Sequence, residues 1–275
     1  MFARAYAVAA VILGSTTVQA ARPVPRPPRV VTVIAHDYAF TIAGGSAAAL
    51  PAGPTTFRLV NDGKEMHMMG VSRLDSGSIA SFAKAIAANA APAMKEYGGV
   101  NGVTPGHTAT STLDLVPGHY VLVCWLMTAD HKLHAGLGMM LPIEVVASNA
   151  PAAAPVADLA ITLRDYALAI DKPVHAGTHT FRVDNQGPLA HDVVLLRMDP
   201  GATTSDIDAW LAHPATGSPR AHPMGGLVGL EKGFHGWFTA TLPAGDYALV
   251  CLMPDDKGVP HYSGHHMQLD FHVSG

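Results

Sequence analysis

Two stretches of the chain repeat one set of side chains that can bind a metal ion: a lone His, then a Cys, then a His and a Met that follow the Cys closely. The set comprises His67, Cys124, His134 and Met139 in the first stretch and His191, Cys251, His261 and Met267 in the second. In both stretches the second His follows the Cys by ten positions. Two imidazoles, one thiolate and a distant thioether are the ligands of a blue-copper electron-transfer site. The spacing therefore predicts copper, with one or two ions per chain.

The sequence around these residues is duplicated as well. The matched segments include Asp37-Tyr38-Ala39-Phe40 with Asp165-Tyr166-Ala167-Leu168, Asn61, Gly63 and His67 with Asn185, Gly187 and His191, and Pro117-Gly118 with Ala244-Gly245. Such colinearity indicates two copies of one fold. We expect domains at 29–147 and 157–275, joined by a semi-rigid Ala/Pro linker at 148–156.

Local patterns in each copy indicate short β-strands between Gly/Pro turns. Apolar or alternating runs lie at 56–60, 110–115, 120–124, 141–145 and 269–273. One helix is predicted in each copy, at 79–89 and at 204–212. Gly98-Gly99 and Gly225-Gly226 predict a repeated tight turn. The expected fold is all-β, with two tandem Greek-key β-sandwiches that each carry a short helix insertion.

With these features, each copy resembles a cupredoxin of the plastocyanin and azurin type. The resemblance rests on a His after a strand and turn, a Cys that ends a strand behind a turn and a Tyr, and a His and a Met before the last strand. It implies that the Cys, the two His and the Met of each copy bind one copper in a rigid β-sandwich. It also implies that a partially exposed ligand, His134 or His261, is the electron portal, ringed by apolar residues that dock a redox partner weakly.

The two copies depart from that pattern at two points. The interval from His to Met is one residue longer in the second copy, which leaves either Met267 or His266 as the distant ligand. The strand period favours Met267, and Met140 is the alternative to Met139 in the first copy. The residue after the first His, commonly a small polar one in the family, is Met68 in one copy and Asp192 in the other.

Other functions are consistent with parts of the pattern. Two-domain nitrite reductases and laccases share the architecture, but they connect their coppers through a His beside the copper Cys. Here Val123 and Trp125 flank Cys124. We therefore predict an electron carrier, not an enzyme. The many Met residues leave copper storage or delivery as an alternative, and a copper-free interaction module as another. A disulfide between the only two cysteines is the competing use of those residues.

Composition sets the remaining expectations. The 275 residues carry a net charge of −4 and no basic stripe, so no nucleic-acid partner is expected. Residues 1–20 predict a cleavable signal peptide, with an uncut membrane anchor as the alternative, and 21–28 are Pro-rich. We expect a periplasmic or secreted protein without stable membrane insertion, and the oligomeric state is left open.

Overall fold

The computed structural model describes residues 26–45, 49–75, 78–149, 152–212 and 220–275. The predicted signal peptide lies outside these residues, as do positions 21–25 of the Pro-rich segment and positions 150–151 of the linker. The domain boundaries and the signal peptide therefore stay predictions. Within the described ranges, no helix is both long enough and apolar enough to cross a membrane.

Strands are the main secondary structure of the described chain. The first half forms β1 (Arg29–His36), β2 (Ala39–Ile42), β3 (Leu50–Pro51), β4 (Gly53–Asn61), β5 (His67–Arg73), β6 (Lys95–Val103), β7 (Thr108–Leu115), β8 (Gly118–Val123) and β9 (Met140–Val146). The second half forms β10 (Leu159–Arg164), β11 (Ala167–Ile170), β12 (Gly177–Asn185), β13 (His191–Met198), β14 (Ala221–Leu230), β15 (His235–Leu242), β16 (Gly245–Val250) and β17 (Gln268–Val273). The all-β prediction is confirmed.

Short helices interrupt the strands, two of them where the sequence predicts them. They are α1 (Ile79–Ala87), α2 (Thr204–Ala212), α3 (His261–His265) and a 3-10 turn at His134–Leu137. Ser78 caps α1 through a hydrogen bond that its side chain accepts from the Ser81 amide. Both predicted helices are present, and α1 ends two residues earlier than the sequence pattern indicates.

The described residues form two sheets, and each sheet runs through both halves. The eight-stranded sheet has the order β11-β10-β12-β15-β7-β4-β1-β2, and the nine-stranded sheet has the order β17-β16-β13-β14-β6-β5-β8-β9-β3. Alternate residues of a strand face opposite sides, so Val31 and Val33 of β1 point inward while their neighbours do not. One continuous core contains Phe57 of the first half and Phe181 of the second. The two sandwiches are therefore fused along their edges.

The junction between the halves has approximate two-fold symmetry. Strand β6 pairs antiparallel with β14, where Val100 lies opposite Leu227. Strand β7 pairs antiparallel with β15, where Ser111 lies opposite Phe238. The two members of each pair occupy equivalent positions in the repeat. Since His67 lies beside the end of β6 and His191 beside the end of β14, the two candidate sites face opposite ends of the nine-stranded sheet.

The repeated glycine pairs lie inside strands, so the prediction of tight turns is wrong. Gly98-Gly99 is part of β6 and Gly225-Gly226 is part of β14, and all four have φ between +117° and +140°. A Cβ on Gly99 would lie 2.0 Å from the Met69 carbonyl oxygen, and one on Gly226 would lie 1.9 Å from that of Val193. Glycine is required because the neighbouring strand's backbone occupies the space of a side chain.

A buried carboxyl group lies at this junction. Glu96 on β6 is 7% exposed and accepts a hydrogen bond from Ser72 Oγ at 3.0 Å. Its backbone carbonyl accepts a hydrogen bond from the Glu231 amide of the second half at 3.2 Å. Burial, and to a lesser degree the charge of Glu231, raises the pKa of Glu96 to about 8.

Replacing Glu96 with glutamine should make the stability of the fold less dependent on pH. The folded pKa is raised, so the stabilising contribution of the neutral carboxyl is complete below its unfolded pKa and is lost as the pH rises through about 8. Between acidic and alkaline pH, the free energy of unfolding of the wild type should fall by about 2–4 kcal/mol relative to that of Glu96→Gln. Urea unfolding across this pH range measures the difference. The exposed Glu144→Gln is the control, and parallel pH profiles for wild type and Glu96→Gln would contradict the assignment.

Candidate metal centres

Equivalent structural elements build each candidate centre. Site 1 lies in the first half. Its His67 begins β5, and Cys124 directly follows the adjacent strand β8. His134 begins the 3-10 turn, and Met139 directly precedes β9. In the second half, site 2, His191 opens β13, Cys251 directly follows β16, His261 opens α3 and Met267 precedes β17. Each site thus takes one residue from a strand start and three from a single loop between two strands.

Site 1 brings two imidazoles and a thiol together in the protein interior. One ligand atom from each of His67, Cys124 and His134 lies within 4.8 Å of the others, and all three residues are buried. The Sγ of Cys124 is 3.5 Å from Nδ1 of His134. Nδ1 of His67 is buried without a hydrogen-bond partner among the described residues. A buried imidazole nitrogen without a hydrogen-bond partner fits the role of a metal ligand.

Site 2 repeats this arrangement with buried His191, Cys251 and His261, again within 4.8 Å of one another. The Sγ of Cys251 is 3.8 Å from Nδ1 of His191 and 3.6 Å from Nδ1 of His261. The two inward nitrogens are 3.1 Å apart. Both cysteines are free, so the alternative of a disulfide is wrong.

Carboxylates fix the outward nitrogens of three of the four imidazoles. Nε2 of His67 lies 3.2 Å from Asp37, and Nε2 of His191 lies 3.1 Å from Asp165. Nε2 of His134 lies 3.0 Å from Glu65. An ionised carboxylate can only accept, so each of these Nε2 atoms carries the proton, and each Nδ1 presents a lone pair to the cluster.

Burial keeps the donor groups neutral when no cation is bound. It raises the pKa of the Cys124 thiol to about 11 and also raises that of Cys251, where the charge of Asp192 adds to the effect. Burial lowers the pKa of His67 and of His191. A bound cation would replace the thiol proton, so binding at either site releases a proton. Soft sulfur with two imidazoles is the donor set that copper prefers, and the two clusters fit one or two copper ions.

The predicted methionine ligands are buried, and their backbones are bonded to those of the cysteines. Met139 and Met267 are fully buried in the same core as the two cysteines. Their carbonyl oxygens accept hydrogen bonds from the Cys124 and Cys251 amides at 3.2 and 3.1 Å. His266 is exposed and ends α3 in a left-handed conformation, and Met140 packs on the opposite face of the sheet. This placement favours the methionines, whose role as ligands stays a prediction.

The expectation of a partially exposed ligand is wrong. His134 is 1% exposed and His261 is 2% exposed. Tyr38 packs edge-on to the His134 ring at 5.2 Å, and Tyr166 packs in the same way on His261 at 5.3 Å. Family resemblance alone could not reveal these covers, because they come from the turn that follows the first strand of each half.

The carboxylate of Asp192 gives site 2 a support that the Met68 side chain cannot give site 1. Its backbone amide donates to Cys251 Sγ at 3.4 Å, and its carboxylate accepts from the Leu252 amide at 2.7 Å. The side chain is buried, and burial raises its pKa to about 6. From the first half, Asn101 donates to the adjacent Val193 carbonyl at 3.1 Å. The junction therefore helps to hold β13 beside Asp192, whereas the Met68 side chain has no carboxylate that could accept from the loop of site 1.

Comparison with known proteins gives weak matches. No protein-family model matches the chain, and no curated protein does. Similar solved structures include an auracyanin from Roseiflexus castenholzii, with 18% identity over 44% of this chain and 98% of that one and a TM-score of 0.29. A copper nitrite reductase from Nitrosomonas europaea has 15% identity over 90% of this chain and 94% of that one, with a TM-score of 0.27.

A third similar structure is auracyanin A from Chloroflexus aurantiacus, described as a blue copper protein. It has 23% identity over 42% of this chain and 99% of that one, with a TM-score of 0.28. These matches include a blue copper protein and a copper nitrite reductase, and their low scores leave function to be inferred from the residues of this chain. The fused β-sandwiches and the two His/Cys/His clusters agree with the cupredoxin-like resemblance of the sequence.

Proposed function

We propose that this chain is an electron-transfer protein with a blue-copper site in each half. The observation that carries the proposal is the recurrence of one buried donor set, two imidazole nitrogens and a cysteine Sγ, in both halves of a duplicated fold. A core needs no such set for packing, and a buried imidazole nitrogen without a partner is costly unless a ligand satisfies it.

The residues around each site suit rapid electron transfer. When bound, copper supplies a one-electron redox couple, and sulfur with imidazole donors can serve both of its oxidation states. Asp37 and Asp165 fix the rings of His67 and His191. The Cys amides are tied to the Met carbonyls within the same loops. Donors held in this way move little when the charge of the site changes, which keeps the barrier to electron transfer low.

A carrier explains the site better than an enzyme. No histidine adjoins Cys124 or Cys251 in the sequence, so neither has the connection that two-domain copper enzymes use. Apolar side chains are exposed near both sites, among them Met127 and Leu137 for site 1 and Leu189 and Val259 for site 2. They are suited to weak docking of a redox partner. We place the protein in the periplasm or outside the cell because of its predicted signal peptide.

Redox cycling of the copper-loaded protein tests this function. Reduction with ascorbate should bleach an intense visible band, and reoxidation with ferricyanide should restore it without loss of copper. Release of copper on reduction, or a colourless copper(II) complex, would argue against electron transfer. More than two copper(I) ions bound per chain, with no visible band, would instead favour storage. The storage alternative rests on the many methionines, but Met68 and Met69 are buried in the core, where packing explains them. If Cys124→Ser and Cys251→Ser have the same copper content and spectrum as the wild type, a copper-free module is favoured.

A further inference from the structure

Each buried site is covered by a partly exposed side chain of a type that itself binds metals. In site 1 this is Glu65, whose side chain is 41% exposed and whose Oε2 is 3.0 Å from Nε2 of His134. The hydroxyl of Tyr38 donates to the other oxygen of Glu65 at 2.9 Å. The carboxylate therefore stands between solvent and the buried imidazole.

In site 2 the covering side chain is His265, which is 31% exposed. Its ring stacks on Tyr166 at 4.0 Å, and its Nε2 lies 3.0 Å from Asp255. The ring centres of His265 and the buried His261 are 6.0 Å apart. His265 is thus a second partly exposed metal-binding group, and it lies beside the buried His261.

The two covers come from different parts of the repeat. The position of Glu65 is taken by Leu189 in the second half, where Asn185 bonds the Leu189 carbonyl as Asn61 bonds that of Glu65. The loop from His261 to Met267 is one residue longer than the loop from His134 to Met139. It forms the α-helical turn α3, which ends at His265, where the first half has a 3-10 turn. Each half therefore places a metal-binding group outside its buried site by its own route.

We propose that Glu65 and His265 are transient ligands that pass a copper ion from solvent to the buried donors of site 1 and site 2. With every histidine and cysteine of both clusters buried, an incoming cation has no exposed cluster ligand to meet first. Carboxylate oxygen and imidazole nitrogen can hold the cation while the inner ligands replace water. The thiol proton leaves to solvent as the sulfur binds. This inference rests on the proposed copper binding.

Loading kinetics separate a transient ligand from a simple cover. Copper(II) is mixed with reduced, metal-free protein, and growth of the visible band is followed in a Cys251→Ser background for site 1 and a Cys124→Ser background for site 2. Glu65→Ala should slow loading of site 1 about tenfold or more, and His265→Ala should do the same at site 2. Removing a cover that only blocks access would instead accelerate loading.

Controls separate this role from surface charge and from misfolding. Asp130→Asn removes an exposed carboxylate from the loop that carries Cys124 and His134, and His266→Ala removes the exposed neighbour of His265. Both variants should load at the wild-type rate. The final copper count and band of His265→Ala should match its background. Glu65→Ala also removes the carboxylate that fixes Nε2 of His134, so for site 1 the loading rate, and not the final band, is the test. If Glu65→Ala and His265→Ala load copper at the rate of their backgrounds or faster, the transient-ligand inference is wrong and the proposed function is unaffected. A wild-type chain that binds no copper overturns the proposed function as well.

Discussion

Cys124→Ser should remove one copper ion per chain and the visible band of site 1, while site 2 keeps its own ion and band. Cys251→Ser should do the reverse, and the double variant should be colourless. The thiolate is the strongest soft donor of each cluster and the source of the intense absorption, and a serine hydroxyl does not replace it at neutral pH. Copper analysis after gel filtration, combined with the visible spectrum, measures both effects.

Met127→Leu provides the control for the cysteine variants, since Met127 follows Cys124 closely but is 63% exposed. It should keep both ions and the full spectrum. Two outcomes oppose the assignment: a double variant that still shows the band, or a single cysteine variant that loses both ions while remaining folded.

The second large effect is expected at the glycines inside β6 and β14. Gly226→Ala should cost about 3 kcal/mol or more of stability, because its Cβ would meet the Val193 carbonyl of β13 and its φ of +134° is strained for alanine. Val193 is two residues from His191, so site 2 should also lose copper affinity while site 1 keeps its own. Gly99→Ala should reverse this pattern. Denaturant unfolding and copper titration of each variant measure the two effects.

Gly233→Ala is the matched control for this comparison. Its φ is +79°, but a Cβ there meets nothing within 4 Å. It should cost only about 1–2 kcal/mol and leave both sites intact. If Gly226→Ala proves no more costly than Gly233→Ala, the close approach of β13 and β14 is not what requires glycine.

The sequence predicts the donor set of each site because those residues are fixed by chemistry and recur in both halves. The residues that position the donors are harder to recognise. Asp37 and Asp165 recur in the repeat, yet a recurring Asp before a Tyr also fits a simple turn. Only the fold brings Asp37 to His67, thirty positions away. Glu65 and Asp192 have no counterpart of the same type in the other half, so the repeat gives no signal for them.

The pairing of strands between the two halves could not be predicted from the sequence pattern either. Alternation of apolar residues predicts strands and their buried faces, but strand edges carry no comparable signal, because pairing there uses backbone groups that every residue has. Antiparallel contact of β6 with β14 therefore appears only in the fold. The glycine pairs resembled turns for the same reason, since a positive φ suits both a turn and a closely paired strand.

Titration of copper(II) into the reduced, metal-free wild-type chain tests the central claim most directly, provided that absorption and bound copper are measured on the same samples. The two His/Cys/His clusters predict a visible band that grows until two ions are bound per chain and then stops. Copper bound without that band, or less than one ion retained per folded chain, would contradict it.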